Sequence, residues 1–150
     1  MITVDELTTL DLFAGLSTGQ LAALASLAEE KTCAAGEALF REGSEATHCF
    51  ILLEGKITIQ VQLSSRPESL TITALGRAGQ VVGWSGLVAP HHYTASAICQ
   101  EESRLLALEG EALMQALEQA PEMGFLFMRR VAEVISGRLR NIQQVVLKTL

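Results

Sequence analysis

The sequence predicts a mainly β domain, a barrel of short strands flanked by short N-terminal helices and a long C-terminal helix. Three observations predict it. Between residues 33 and 109, glycines at 36, 43, 55, 76, 79, 83 and 86 punctuate strand-length apolar runs, the pattern of many short strands joined by turns. On either side of that region the apolar residues recur at intervals of three and four, as on a helix face. The chain, 150 residues of which 49% are hydrophobic, is the size of one ordinary domain and buries a core without metal or disulfide staples. The expected division is one domain with N-terminal helices over 1–32, the barrel over 33–109 and C-terminal helices over 110–150.

Each element has its own signal. Leu7, Leu10, Leu12, Phe13 and Leu16 lead to Ser17, which can cap a second helix while Gln20 reciprocates. Leu21, Leu24, Leu27 and Ala28 then form its apolar stripe. The runs HCFILL (48–53) and KITIQVQL (56–63) are rich in strand-favouring residues, and the second alternates apolar and polar side chains. Glu54-Gly55 between them suits a tight hairpin, whereas SSRPES (64–69) has the composition of an exposed, longer connection. Gly43 and Gly55 suit turns at positive φ, which glycine adopts without strain. Ala112, Leu113, Ala116 and Leu117 mark a short helix, and Pro121 opens another that runs toward Leu150. Within it Ile135, Leu139, Ile142, Val146 and Leu150 form an apolar stripe, with Arg129, Arg130, Arg138 and Arg140 on the remaining surface. A small barrel cannot cover so long a helix, so a homodimer seam through Ile135, Leu139, Ile142 and Val146 is expected, the alternative being a helix folded back on its own barrel.

Composition excludes several functions. A net charge of -6 argues against direct nucleic-acid binding, which needs clustered Lys and Arg. No apolar run approaches the roughly 20 residues of a membrane span, and the N-terminus is acidic where a signal peptide is basic. No membrane association and a cytoplasmic location are expected. Cys33, Cys49 and Cys99 form no CxxC pair and read as buried structural thiols. The adjacent His91 and His92 alternate faces on a strand and do not converge on one ion, and His48 has no supporting carboxylate, so no metal site is expected. No nucleophile elbow, Walker loop or HExxH stretch is present. The reading is a non-enzymatic domain with no catalytic residue and no cofactor.

Three motifs then stand together: GEALFREG (36–43), FILLEGKI (50–57) and the spacing of Gly76, Gly79 and Gly83. Their set and order resemble the cyclic-nucleotide-binding domain found in the catabolite activator protein and in protein kinase A regulatory subunits. The resemblance covers roughly residues 10–139. It implies a jelly-roll barrel and a phosphate-binding cassette after Gly83, where backbone N–H groups of a short helix receive the cyclic phosphate. It also implies a Glu directly after that glycine and an Arg before a Ser/Thr/Ala run. Here Trp84 and Tyr93 stand at those positions, so both charged anchors are missing. A charge-assisted contact is worth about 1.5–3 kcal/mol, so cyclic AMP binding is expected to weaken on the order of ten- to a hundredfold or more.

The candidate ligand-binding residues are therefore Gly83, Trp84, Ser85, Tyr93 and Thr94, with His92 as the nearest cation. Trp84 reads as either a plug or a stacking face, and Tyr93 as either an anion donor or a structural tyrosine. A one-residue offset turns His92 away from the vacant position unless the strand is bulged. The expected function is a stand-alone regulatory or sensory domain that binds a cyclic nucleotide weakly, or another small anion, and relays it through the C-terminal helix. The alternative is a degenerate dimerisation or protein-interaction module without a ligand.

Overall fold

The structure, a computed structural model, describes residues 2–65 and 67–149. Helix α1 (Val4–Thr8) and a 3₁₀ turn (Asp11–Phe13) precede α2 (Thr18–Leu27). The anticipated cap of α2 is present: Gln20 N–H donates to Ser17 Oγ at 3.1 Å, and Ser17 N–H donates to Gln20 Oε1 at 2.9 Å. Eight strands follow, β1 (Ala28–Cys33), β2 (Ala38–Phe40), β3 (His48–Glu54), β4 (Ile57–Gln62), β5 (Ser69–Leu75), β6 (Val81–Val82), β7 (Ser96–Cys99) and β8 (Ser103–Glu109). The chain ends in α3 (Gly110–Gln119) and α4 (Pro121–Thr149).

The strands form two four-stranded antiparallel sheets, ordered β1-β8-β3-β6 and β2-β7-β4-β5. This is the helix-flanked, jelly-roll-like fold that the sequence predicts. The unbroken apolar run of β3 is explained by burial on both faces. Cys49 and Ile51 pack with the helices, while Phe50 and Leu52 face the interior between the sheets. Strand β8 splits the same way, Leu106 and Leu108 outward to the helices and Leu105 and Ala107 inward. The first sheet is thus shared by two cores. In the second sheet Ile57 and Ile59 are buried while Thr58 and Gln60 are half-buried, the alternation of a sheet with one wetter face.

Two local expectations are corrected. The stretch read as helical to residue 32 stops at Leu27, and Ala28 begins β1, which pairs with β8 from Ala28↔Leu108 to Cys33↔Ser103. Edge pairing on β8 overrides a stripe too short to hold another helical turn. Glu54-Gly55 is also no hairpin, because β3 and β4 lie in different sheets. Gly55 takes φ +115 and its Cα lies so close to Ser103 that a Cβ would overlap it, while Lys56 N–H donates to Ser103 Oγ at 3.2 Å. The chain turns a corner there. The β4-β5 hairpin is instead closed by the loop after Gln62, which pairs with Ser69.

Helix α4 packs along one stripe, Met123, Phe127 and Val131, all buried. Beyond Arg138 none of its described side chains is buried. Ile135 packs against the protein's own core, whereas Leu139, Ile142 and Val146 are 55, 40 and 47% exposed. Leu150, the last position of the predicted stripe, lies outside the described residues. No helix among the described residues is long and apolar enough to cross a membrane.

Candidate functional site

Strand β6 ends at Val82, and Gly83, at φ +81, turns the chain into a 3₁₀ turn, Trp84–Gly86. Both the backbone angle and the space demand glycine: a Cβ at 83 would lie 2.9 Å from the Phe40 ring and 3.1 Å from the Tyr93 ring. Gly86 N–H donates to Gly83 O at 3.2 Å and Leu87 N–H to Trp84 O at 2.8 Å. Two glycines tie this turn to the helices. Gly110, the first residue of α3, approaches the Gly86 carbonyl so closely that a Cβ would overlap its oxygen. The end of the turn and the start of the C-terminal helices are thus in backbone contact.

Of the six predicted site residues, Gly83, Trp84, Ser85, Tyr93 and Thr94 come together around one cavity, joined by Phe40 and Arg138. Its volume is about 20 Å³, room for a single water and far below the roughly 300–1,000 Å³ of ligand pockets. His92 is not among its walls. Its exposed ring turns to the Pro90 carbonyl, 2.9 Å from Nδ1, and its backbone bridges to Glu45.

Tyr93 is fully committed. Its ring stacks on Phe40 with centroids 3.8 Å apart and planes within 10°, and its hydroxyl donates to the His48 carbonyl at 2.7 Å. Burial pushes its pKa up to about 12, so the phenol stays a neutral donor already spent on the protein. Ser85 is buried at the floor, and Thr94 is exposed at the rim.

Arg138 is the residue sequence reasoning missed. The sequence pattern puts it on the remaining surface of the long helix, yet it is 7% exposed. Its Nη2 donates to the Val81 carbonyl at 2.6 Å, and its guanidinium lies over the half-buried Trp84 ring, 5.1 Å from the centroid, a cation–π arrangement. Burial holds its pKa down at about 10, which still leaves it charged at neutral pH. A signal for it existed: Met123, Phe127 and Val131 mark the buried stripe, and one heptad past Val131 falls on Arg138. The cavity wall thus carries a cation from α4, although position 93 holds none.

The family model of the cyclic nucleotide-binding domain matches residues 30–120. The chain belongs to the cyclic nucleotide-binding domain family. A crystallised protein of Geobacter metallireducens named for cyclic-nucleotide binding is 32% identical, with a TM-score of 0.79 over 93% of this chain and 99% of its own. The N-terminal domain of a transcriptional regulator from Streptomyces coelicolor is 27% identical, covering 95% of both chains with a TM-score of 0.70. A Rhodopseudomonas palustris protein named as a potassium channel is 24% identical over 132 residues, 87% of this chain but 30% of that protein. The matched span takes in the barrel and α3, and Arg138 lies beyond it.

Proposed function

We propose that this chain is a non-enzymatic regulatory domain whose cassette is held shut by its own side chains and takes no cyclic nucleotide in that state. The observation that carries the reading is the cavity of about 20 Å³ bounded by the Phe40–Tyr93 stack, Trp84 and Arg138. Any nucleotide must first displace the Arg138–Trp84 pair, and it would find neither charged anchor of the resembling domains. In this reading the cassette communicates with α3 and α4 through the Gly86–Gly110 contact and through Arg138, so a change at one end biases the other. The cysteines, all three free and buried, suit a reducing, cytoplasmic setting.

The test is thermal unfolding with cyclic AMP and cyclic GMP up to millimolar concentration, followed by emission of Trp84, the only tryptophan. Neither the melting temperature nor the emission is expected to move. A ligand at a hundred times its dissociation constant adds about 2.7 kcal/mol, several degrees in a domain of this size. A rise of that kind overturns the closed reading, restores the weak-ligand one and makes Ser85 and Thr94 the residues to substitute.

The exposed residues of α4 favour a second element of the proposal. Leu139, Ile142 and Val146 repeat at three and four along a stretch that leaves its own barrel behind, and we assign them to a seam with a second copy of the chain.

A further inference from the structure

A second and larger cavity lies behind the cassette, where α4 crosses the turn between β5 and β6. Its volume is about 550 Å³, and its walls carry Arg77 from the turn and Arg130, Arg138 and Arg140 from the helix, against the acids Asp11 and Glu133. Four of the chain's eleven Lys and Arg residues thus face one cleft in a protein of net charge -6.

None of these four arginines is ion-paired among the described residues, where the ion pairs belong to Arg104 and Arg129. Arg130 donates to the Leu12 carbonyl at 2.8 Å, Arg138 to the Val81 carbonyl and Arg140 to Ser136 Oγ at 3.0 Å. All three acceptors are neutral. Glu133 leans away toward Arg129, 3.6 Å distant. Four guanidinium groups against two carboxylates leave the cleft with a surplus of positive charge, which attracts an anion.

The cleft is also braced. Gln80 Oε1 accepts from Gly76 N–H at 2.9 Å and from Arg77 N–H at 2.8 Å, which fixes the turn that presents Arg77. A preset turn reduces the ordering cost of binding. Thr73 and Asn141 add a hydroxyl and an amide to the walls, and the volume is that of a small-molecule pocket. Arginine's planar fork matches phosphate oxygens in pairs.

We propose that this cleft binds a small multivalent phosphate between Arg77 and the arginines of α4. The site is distinct from the cassette and does not depend on the cassette being closed. Arg138 is a wall of both cavities. A phosphate that draws its guanidinium into the cleft loosens it from Trp84, so occupancy is read at the tryptophan.

The probe is inorganic pyrophosphate, titrated at constant ionic strength against chloride while melting temperature and Trp84 emission are followed. The wild-type chain is expected to melt several degrees higher at saturating pyrophosphate, with a change in emission. Arg77 and Arg140 are exposed and line the cleft without lining the cassette cavity, so the double variant R77Q/R140Q is expected to melt normally when unliganded and to bind pyrophosphate at least tenfold more weakly. No response in the wild type overturns the proposal. An undiminished response in the double variant places the phosphate elsewhere and overturns it equally. A response to cyclic AMP that persists in R77Q/R140Q belongs to the cassette and counts against the closed reading instead.

Discussion

Arg138 joins α4 to the cassette through the Val81 carbonyl and the Trp84 ring. A guanidinium this buried, holding one neutral carbonyl and one aromatic face, is stabilised less than it would be in water, and its lowered pKa follows from that burial. Replacing such a charge with an apolar side chain of similar length is often neutral or stabilising. Arg138→Met is therefore expected to leave the unfolding free energy within about 1 kcal/mol of wild type, or to raise it, while shifting Trp84 emission because the cation over the ring is gone. Arg138→Ala leaves a void as well and is expected to lose about 2 kcal/mol or more. Urea unfolding of both variants is the measurement. A methionine variant as damaged as the alanine variant would mean that the bond to Val81 O stabilises the fold and that the charge carries no burial penalty worth removing.

At the scale of elements, α4 changes partner along its length. Its first half buries Met123, Phe127 and Val131, and its last turns present Leu139, Ile142 and Val146 to solvent. If a second copy covers that stripe, Leu139→Glu with Val146→Glu is expected to convert a dimer to a monomer in light scattering while thermal unfolding of the barrel at low concentration is preserved. A wild type that is already monomeric at tens of micromolar would remove the seam. Legibility followed how local each signal was. The Ser17 cap, the strand run of β3 and the extent of α4 were readable because each rests on residues a few positions apart. The start of β1 and the corner at Gly55 were not, because β8, some 50 to 80 residues away, determines both. The cassette residues were readable as a set. Their closure was not, since Phe40 and Arg138 reach the cavity from outside the cassette.

For the whole molecule, the two cores that share the first sheet each hold thiols, Cys49 on the helix side and Cys33 with Cys99 between the sheets. Burial pushes Cys49 up to about 12; burial and the neighbouring Cys99 push Cys33 to about 12; and burial does the same to Tyr93. An acid whose folded pKa lies above its unfolded value contributes stability that is complete below the unfolded value and is lost as pH rises toward the folded one. The window therefore opens near pH 9 for the thiols and near 10 for the phenol, and closes near 12. Arg138 acts in the opposite sense, because a base with a lowered folded pKa sheds its proton first in the native state and adds stability above pH 10. Three groups oppose one, so the unfolding free energy is expected to be level from pH 7 to about 8.5 and to fall through pH 9 to 11, each group contributing on the order of 1.4 kcal/mol per pH unit inside its window. Cys49→Val removes one titrating thiol from a site that is 0% exposed and is expected to lower that alkaline slope by about one proton. Urea titrations at closely spaced pH values measure it directly. A wild-type stability that stays level to pH 11, or a valine variant with an unchanged slope, would mean that the native state opens its cores to hydroxide before it unfolds, and the two-core packing would then be far looser than the buried side chains require.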